Sequence, residues 1–194
     1  HMLRRWLGDA DFAKGLHAYF EKHQYGNTIG RDLWDALGQA SSRDVAAFMD
    51  SWLEQPGYPV VSAVVENDTL IIRQEQFFIG EREEKGRKWV VPLNSNWTGI
   101  PDTLDTEVLE IPNYSALKAA NSGALRFNTE NTAHYISDYR GELLEDILVD
   151  LASLDSTSKL QVVQERRLLA ESGQISYASL LPVIEHLTEE SSYL

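Results

Sequence analysis

Four histidines are the first candidates for chemistry, because an imidazole can serve as a metal ligand or as a general base. They are His17, His23, His134 and His186. No two of them stand four residues apart, the spacing at which one helix presents two imidazoles to a zinc ion. His17 has Glu21 at that spacing, and Glu185 precedes His186 directly. We interpret both pairs as hydrogen bonds or ion pairs on a helix surface rather than as metal ligands.

The other residue types that catalyse hydrolysis form no motif. There is no G-x-S-x-G elbow, and Ser122-Gly123 lies in a polar stretch typical of a turn, although a Ser-His-Asp triad can also assemble from distant parts of a chain. No glycine-rich phosphate loop precedes a predicted helix. Four acidic residues near two prolines are interpreted as solvated loop residues: Asp102, Asp105, Glu107 and Glu110. The residues therefore indicate no catalytic, metal-binding or substrate-binding site.

Trp89 and Trp97 have two interpretations. An exposed tryptophan on a β-sandwich can stack against a sugar, whereas a buried one anchors a core. We favour the buried interpretation for both residues, which leaves glycan binding as the alternative.

The composition excludes several classes of function. The 194 residues contain 30 Asp and Glu against 17 Lys and Arg, a formal charge of −13, which disfavours binding to nucleic acid or to an anionic membrane surface. The chain has no cysteine, so it lacks disulfides, cysteine metal ligands and thiol nucleophiles, and we expect a reducing, cytoplasmic location. No apolar run approaches about 18 residues, and no leader opens the chain, so we expect neither a membrane span nor a signal peptide. We expect His1-Met2 to be the remnant of an affinity tag.

Residues 1–56 have the apolar period of helices. Three stripes recur every three or four positions and predict three amphipathic helices. Asp9 is the predicted N-cap of the first, and Ser41 with Asp44 forms the capping pattern of the third. The helical period ends at residues 55–57, Gln-Pro-Gly, because proline cannot donate an amide hydrogen. The stripes are Phe12, Leu16, Tyr19 and Phe20; Leu33, Trp34 and Leu37; and Val45, Phe48, Met49, Trp52 and Leu53.

Residues 57–137 change to the period of strands. A hairpin of β-branched and aromatic residues is predicted at 60–78 with its turn at 66–68, followed by a solvated, charged loop at 79–87. Pro92 cannot donate a ladder hydrogen bond, so we expect the next strand to lie at a sheet edge or to contain a bulge. Six or so short strands without a helical pattern between them favour a small antiparallel β-sandwich. The later strand candidates are 89–93, 107–111, 124–128 and 133–136.

Residues 138–194 return to the helical period. One stripe at 143–151 and a second at 160–168 predict a helical hairpin, and a last helix is expected to begin near Ser179, so that Pro182 lies in its first turn. The predicted fold class is thus α+β in several parts, with a helical segment at 1–56, a β-sandwich at 57–137 and helical hairpins at 138–194. We expect the hairpins at 138–194 to be the start of an α-solenoid-like domain.

Several strings resemble the M1 family of zinc aminopeptidases, of the aminopeptidase N type. Residues 3–8, LRRWLG, and 12–19, FAKGLHAY, resemble the stretch that follows the family's catalytic tyrosine. Residues 52–61, WLEQPGYPVV, resemble its W-x-x-Q-x-G-Y-P-V-V signature, at which the catalytic domain meets the β-sandwich. Residues 89–93, WVVPL, resemble a sandwich strand, whereas 131–135, NTAHY, depart from the usual G-x-Y-R-V ending. The resemblance extends over essentially the whole chain.

The resemblance implies a structural segment rather than an enzyme. The family's G-x-M-E-N motif, its HExxH helix, its distant zinc-binding glutamate and its catalytic tyrosine all precede the region matched here, and none maps onto a residue of this chain. The expected function is therefore a non-catalytic fragment that links the catalytic and C-terminal domains of a zinc aminopeptidase. The fragment itself is expected to bind no cofactor, and its parent to bind zinc. Its expected partner is the rest of the parent chain, with self-association through exposed helical ends.

Two other functions remain open at this point. The first is a free-standing module whose sandwich binds a protein or a glycan and whose helices mediate assembly. The second is an unrelated hydrolase with a triad assembled in space.

Overall fold

The computed structural model describes residues 1–80 and 85–187, and these fall into two compact units, divided along the chain between Pro56 and Gly57. We call them the helical unit and the sheet unit. They contain helices, a four-stranded sheet and a two-stranded sheet, which confirms the predicted α+β fold in several parts. The predicted boundary between a β-sandwich ending at residue 137 and helical hairpins beginning at residue 138 stays a prediction.

The helical unit consists of four helices: α1 (Met2–Leu7), α2 (Asp9–Lys22), α3 (Gly30–Ser41) and α4 (Val45–Leu53). The three predicted stripes lie on α2, α3 and α4, and α1 adds a short fourth helix. Its core is formed by Leu7, Leu37 and Val45, with Trp6 stacked on Phe48 at 4.2 Å between ring centroids. This core is apolar throughout, as expected for amphipathic helices that turn one face inward.

Gly15 allows α2 and α3 to approach closely. A Cβ atom at this position would lie 2.8 Å from Leu37 Cδ2 and 2.9 Å from Leu37 Cα, closer than real Cβ contacts. Only a glycine therefore fits the present separation of the two helices.

Two predicted helix starts differ from the observed ones. Gly8, not Asp9, caps α2, and Asp9 lies in the first turn, where a carboxylate interacts favourably with the helix dipole. Ser41 ends α3, and Asp44 alone caps α4 by accepting a hydrogen bond from Ala47 N at 2.9 Å. The predicted Ser41 cap is wrong because the helix before it extends one turn further than expected.

The sheet unit is built on four strands in the spatial order β5-β2-β1-β6. In chain order, β1 (Pro59–Glu66) and β2 (Thr69–Gln76) form the predicted hairpin, and a small second sheet pairs β3 (Val91–Pro92) with β4 (Thr103–Leu104). Then come β5 (Val108–Pro112), antiparallel to β2, and β6 (Ile136–Tyr139), parallel to β1. The main sheet is therefore mixed, which corrects the all-antiparallel expectation. A long connection carries the chain from β5 back to the far side of β1, so that β6 enters in the same direction as β1.

The strand predicted at 124–128 is not formed. Its backbone is hydrogen-bonded by side chains and by loop backbone instead of a neighbouring strand. Arg126 N donates to Asn96 Oδ1 at 2.7 Å, and Phe127 N donates to the hydroxyl of Tyr139 at 2.6 Å. Because these groups satisfy the buried amides, the segment lies inside the unit without a ladder partner. The predicted strand at 133–136 likewise begins only at Ile136.

The remaining helices belong to the sheet unit. They are α5 (Tyr114–Ala119), α6 (Glu142–Asp150), α7 (Ser156–Glu171) and α8 (Leu181–Glu185). The last three follow the predicted stripes, and Pro182 lies in the first turn of α8 as expected. Helix α5 was not predicted. The charge run at 81–84 and the C-terminal residues 188–194 lie outside the described residues. No helix in the described ranges is long and apolar enough to cross a membrane.

Candidate functional sites

Three of the four histidines that the sequence singled out are exposed, whereas His23 is half-buried, with its ring centroid 5.3 Å from that of Tyr19. His17 Nδ1 is 3.8 Å from Glu21 Oε2, and both side chains are mostly exposed. His186 Nδ1 lies 2.7 Å from the backbone oxygen of Pro182 on its own helix. His134 packs beside Tyr58, with 4.6 Å between the ring centroids. The structure thus brings none of these histidines together with another.

The acidic candidates are solvated, and the tryptophan candidates are not. Asp102, Asp105, Glu107 and Glu110 are all exposed, although Glu110 lies in strand β5 and not in a loop as predicted. Trp89 is 1% exposed and Trp97 is 4% exposed, which confirms that both are buried anchors. The aromatic platforms that a glycan would need are therefore not available at these two positions.

The described residues offer no metal centre. Within residues 1–80 and 85–187, no three His, Cys, Asp or Glu side chains come close enough to hold a metal ion. This part of the chain does not fit a zinc site, and no chemical step through a metal is assigned to it.

Gln74 is the most highly connected buried polar residue of the sheet unit. It lies in β2 on the same face as Leu70 and Ile72, and it is 3% exposed. Its Nε2 atom donates to the backbone oxygens of Trp89 at 3.0 Å and Thr106 at 2.9 Å, with a longer contact to Leu104 O at 3.3 Å. Its Oε1 atom accepts from Trp89 N at 2.8 Å. One amide therefore fixes the segments that lead into β3 and out of β4.

Glu165 is a buried carboxyl group where α7 packs against β6. It is 8% exposed, and its Oε1 atom accepts from Gln161 Nε2 at 3.1 Å and from Ser137 Oγ at 3.3 Å. Burial raises the pKa of Glu165 to about 8, although both hydrogen bonds act in the opposite direction. The group is therefore mostly protonated at neutral pH. It lines none of the three surface cavities described for this chain.

Two arginines surround the buried carboxylate of Asp138 in β6. Arg140 Nε donates to Asp138 Oδ2 at 2.6 Å, and the pKa of Arg166 is lowered by burial and raised by the charge of Asp138. Arg166 is 6% exposed, and its Nε atom has no hydrogen-bond partner among the described residues. Arg140, Arg166 and Asp138 together carry a formal charge of +1.

A cavity of about 550 Å³ is lined by Arg140 and by residues of the central strands β1 and β2. Five basic and two acidic residues line it, together with uncharged side chains of β1 and β2. The basic residues are Arg73, Lys85, Arg87, Lys88 and Arg140, and the acidic residues are Glu75 and Glu107. This excess of positive charge contrasts with the formal charge of −13 on the whole chain.

Gly57 and Tyr58, from the signature string, start the sheet unit in a constrained geometry. Gly57 has φ +91°, and a Cβ atom there would lie 2.6 Å from Gln76 Nε2. Tyr58 stacks on Phe77 at 5.3 Å, and its backbone oxygen accepts from Phe77 N at 2.9 Å. The glycine and tyrosine of this string therefore close the open end of the β1–β2 hairpin.

Sequence reasoning missed Gln74, Glu165 and the cavity. The first could have been found, because a glutamine at the third position of an alternating apolar face is a buried polar residue by pattern alone. The other two depend on segments far apart in the chain, for which the sequence carries no local signal.

Comparisons with known proteins give a consistent result. Residues 1–52 match the family model described as Peptidase family M1 domain. The chain is 67% identical over 193 residues to aminopeptidase N of Lactococcus lactis subsp. lactis and 46% identical over 193 residues to aminopeptidase N of Lactobacillus delbrueckii subsp. lactis. It is 29% identical over 194 residues to the tricorn protease-interacting factor F2 of Thermoplasma acidophilum. Each alignment covers 100% of this chain but only 23% of the relative.

Proposed function

The chain belongs to peptidase family M1, and we propose that it is a non-catalytic segment of a zinc metallo-aminopeptidase that releases N-terminal amino acids from peptides. The observation that supports this most strongly is the 67% identity to an aminopeptidase N along the full chain, of which the chain represents 23%. The alignment extends over 193 of the 194 residues of the chain, so it supports a segment of a longer enzyme.

The role proposed for the segment is structural. The family model ends at residue 52, inside α4, and the helical unit ends at Pro56. We assign residues 1–56 to the last helices of the catalytic domain, 57–137 to the β-sandwich domain and 138–194 to the start of the helical C-terminal domain. In this assignment the segment connects the domain that performs catalysis to the domain that follows it.

The zinc and the catalytic residues belong, in this proposal, to the remainder of the parent enzyme. Zinc would supply Lewis-acid chemistry there, polarising the scissile carbonyl group and activating water. This chain would contribute the packing of its apolar helical core and the hydrogen-bonded sheet unit.

An activity and metal assay on the purified chain tests the proposal. We expect no stoichiometric zinc by elemental analysis and no cleavage of an aminoacyl p-nitroanilide, while a full-length enzyme containing this sequence cleaves the substrate and holds zinc. A zinc-dependent rate from the isolated chain would contradict the non-catalytic assignment.

The structural role has a test of its own in the full-length enzyme. A substitution in the buried sheet unit, such as Gln74→Leu, is expected to lower the thermal midpoint while the zinc content and the kcat/KM of the folded fraction are unchanged. A selective loss of kcat at unchanged thermal stability would assign a catalytic role to the segment instead.

The partners of the segment are part of the same proposal. We expect it to pack against the rest of its parent chain and, in isolation, to self-associate through exposed apolar side chains at the helical ends. Leu181 is 58% exposed and Ile184 is 53% exposed on α8, and Phe20 is 64% exposed on α2. Sedimentation of the wild type and of a Leu181→Glu, Ile184→Glu variant checks this, since the charged variant is expected to shift toward monomer.

A cytoplasmic location completes the proposal. It is supported by the absence of cysteine from all 194 residues, which is typical of proteins that do not depend on an oxidising compartment. Fractionation of cells that express the full-length enzyme, followed by detection with an antibody, tests the location.

A further inference from the structure

We propose that the basic cavity of the sheet unit binds a small anion with two or more negative charges, carried by phosphate or carboxylate groups. The cavity is formed by β2, the segment 85–88, the residues before β5 and Arg140 after β6. Its volume of about 550 Å³ falls within the roughly 300–1,000 Å³ that small-molecule sites occupy.

The charge of the lining is the first argument. Five Lys and Arg side chains converge on one cavity while the chain as a whole carries 30 acidic and 17 basic residues. Five basic and two acidic residues give the lining a formal charge of +3. A concave surface with an excess of one sign of charge focuses the potential and raises the local concentration of the opposite ion.

The hydrogen-bonding state of the arginines is the second argument. Arg87 is oriented by donating from Nη1 to Gln76 Oε1 at 3.0 Å, and Arg140 is oriented by donating from Nε to Asp138. Each of these bonds uses one of the five N–H donors that a guanidinium carries. Among the described residues, Arg73 has no side-chain hydrogen bond or ion pair, and it lines the same cavity. Guanidinium groups that are held in place and retain unused donors suit bidentate binding of phosphate or carboxylate oxygens.

The support beneath the cavity is the third argument. Arg73 lies opposite Ser62 on the neighbouring strand, and Ser62 lies opposite Asp138, so these three residues form one row across β2, β1 and β6. Asp138 is 1% exposed and anchors Arg140. One side of the cavity is therefore built on neighbouring strands of the main sheet, which position charged groups more precisely than loops do.

Titration calorimetry on the full 194-residue chain tests the proposal with two probes, sodium tripolyphosphate and sodium citrate, at fixed ionic strength. We expect saturable binding of at least one probe with a stoichiometry of one. Binding of tripolyphosphate alone identifies the ligand as a phosphate compound, and binding of citrate alone identifies it as a polycarboxylate. If neither probe binds saturably, the proposal is wrong.

Three variants separate a specific site from general charge attraction. Arg73→Gln is expected to weaken binding by about 3–10-fold, and Glu107→Gln, which removes a negative charge from the lining, is expected to strengthen it by a similar factor. Arg167→Gln removes the same charge from an exposed position of α7 outside the cavity and is expected to leave the affinity unchanged. The Glu107→Gln variant matters most, because a folding defect cannot increase affinity. Equal weakening by Arg73→Gln and Arg167→Gln would overturn the proposal.

Discussion

In the helical unit the buried side chains are apolar, whereas the sheet unit also buries amides, carboxyl groups and a guanidinium. All seven buried polar or charged residues of the described chain lie between residues 57 and 187. They are Gln74, Asn128, Ser137, Asp138, Ser158, Glu165 and Arg166. The buried residues of the helical unit include Leu7, Leu37, Val45 and Phe48.

The difference follows from how each unit satisfies its backbone. A helix pairs nearly all of its N–H and C=O groups internally, so four helices can associate through apolar contact alone. The sheet unit buries long irregular segments, such as those around Trp89 and Phe127, whose amides have no ladder partner. Gln74 and Tyr139 supply the missing partners. Buried side chains such as Gln74 and Tyr139 therefore replace the ladder partners that these irregular segments lack.

Among the substitutions that test the difference between the two units, Gln74→Leu should cost the most unfolding free energy. The variant leaves the amide of Trp89 and several backbone oxygens without partners inside the sheet unit, which we expect to cost about 3–5 kcal/mol of unfolding free energy. Urea denaturation measures the loss, and hydrogen exchange of peptides spanning 89–106 should locate it. The matched variant Gln39→Leu changes an exposed glutamine of α3 and should cost less than about 0.5 kcal/mol. Equal costs for the two variants would remove the distinction between the units.

The pH dependence of stability should also separate the two units. Because the pKa of Glu165 is raised in the folded state to about 8, the native protein holds a proton that the unfolded chain has released. The contribution of the protonated Glu165 carboxyl group to the free energy of unfolding is therefore fully present below about pH 4.5 and is lost as the pH rises through about 8. We expect the sheet unit to lose about 2 kcal/mol between pH 6 and pH 8.

Glu165→Gln tests this assignment, because a glutamine keeps the hydrogen-bonding shape and cannot ionise. The variant should flatten the decline of the urea midpoint with pH, while Glu171→Gln at the exposed end of α7 should leave it in place. A decline that persists in Glu165→Gln would assign the pH dependence to another group.

Gly15→Ala probes the apolar contact of the helical unit. The added methyl group would overlap Leu37 of α3, and separating the two helices should cost about 1–2 kcal/mol. In the control Gly30→Ala, the nearest atom is Trp34 Nε1 at 3.6 Å, an ordinary contact. Thermal denaturation of both variants measures the difference, and an equally stable Gly15→Ala would show that the helices can move apart without loss.

The smallest effect is expected from a pair of helix caps, one in each unit. Asp44 accepts from Ala47 N at 2.9 Å, and Asp155 accepts from Ser158 N at 3.0 Å. Because a cap is a local interaction, Asp44→Ala and Asp155→Ala should each cost about 1 kcal/mol, whatever the unit around them. A much larger cost at Asp155 would indicate that the buried Ser158 couples this cap to the sheet unit.

The helical unit could be predicted from the sequence, and the sheet unit only in part. The apolar stripes of α2, α3 and α4 are local patterns, and so is the β1–β2 hairpin. The parallel pairing of β6 with β1 joins residues such as Val60 and Ile136, whose contact no local pattern specifies. Helix α5 has only six residues, too few for a periodic signal to appear.

The candidate sites were harder to predict than the fold. The absence of familiar motifs was visible in the sequence, but the cavity is assembled from five separate segments. Arg73 lies in β2, Arg140 directly follows β6, and the residues around Arg87 belong to an irregular segment between β2 and β3. Only the apolar face of β2 carried a usable signal, because Gln74 follows Leu70 and Ile72 in strict alternation.

The parallel pairing of β1 with β6 also has a consequence for the order of events during synthesis. The contacts within the helical unit and the β1–β2 hairpin close short loops, whereas β6 must wait until most of the sheet unit has been made. At roughly 5–20 residues per second on the ribosome, the free edge of β1 stays open for several seconds. During that interval Val60 and Val61 lie on an unpaired strand edge that other nascent chains could pair with.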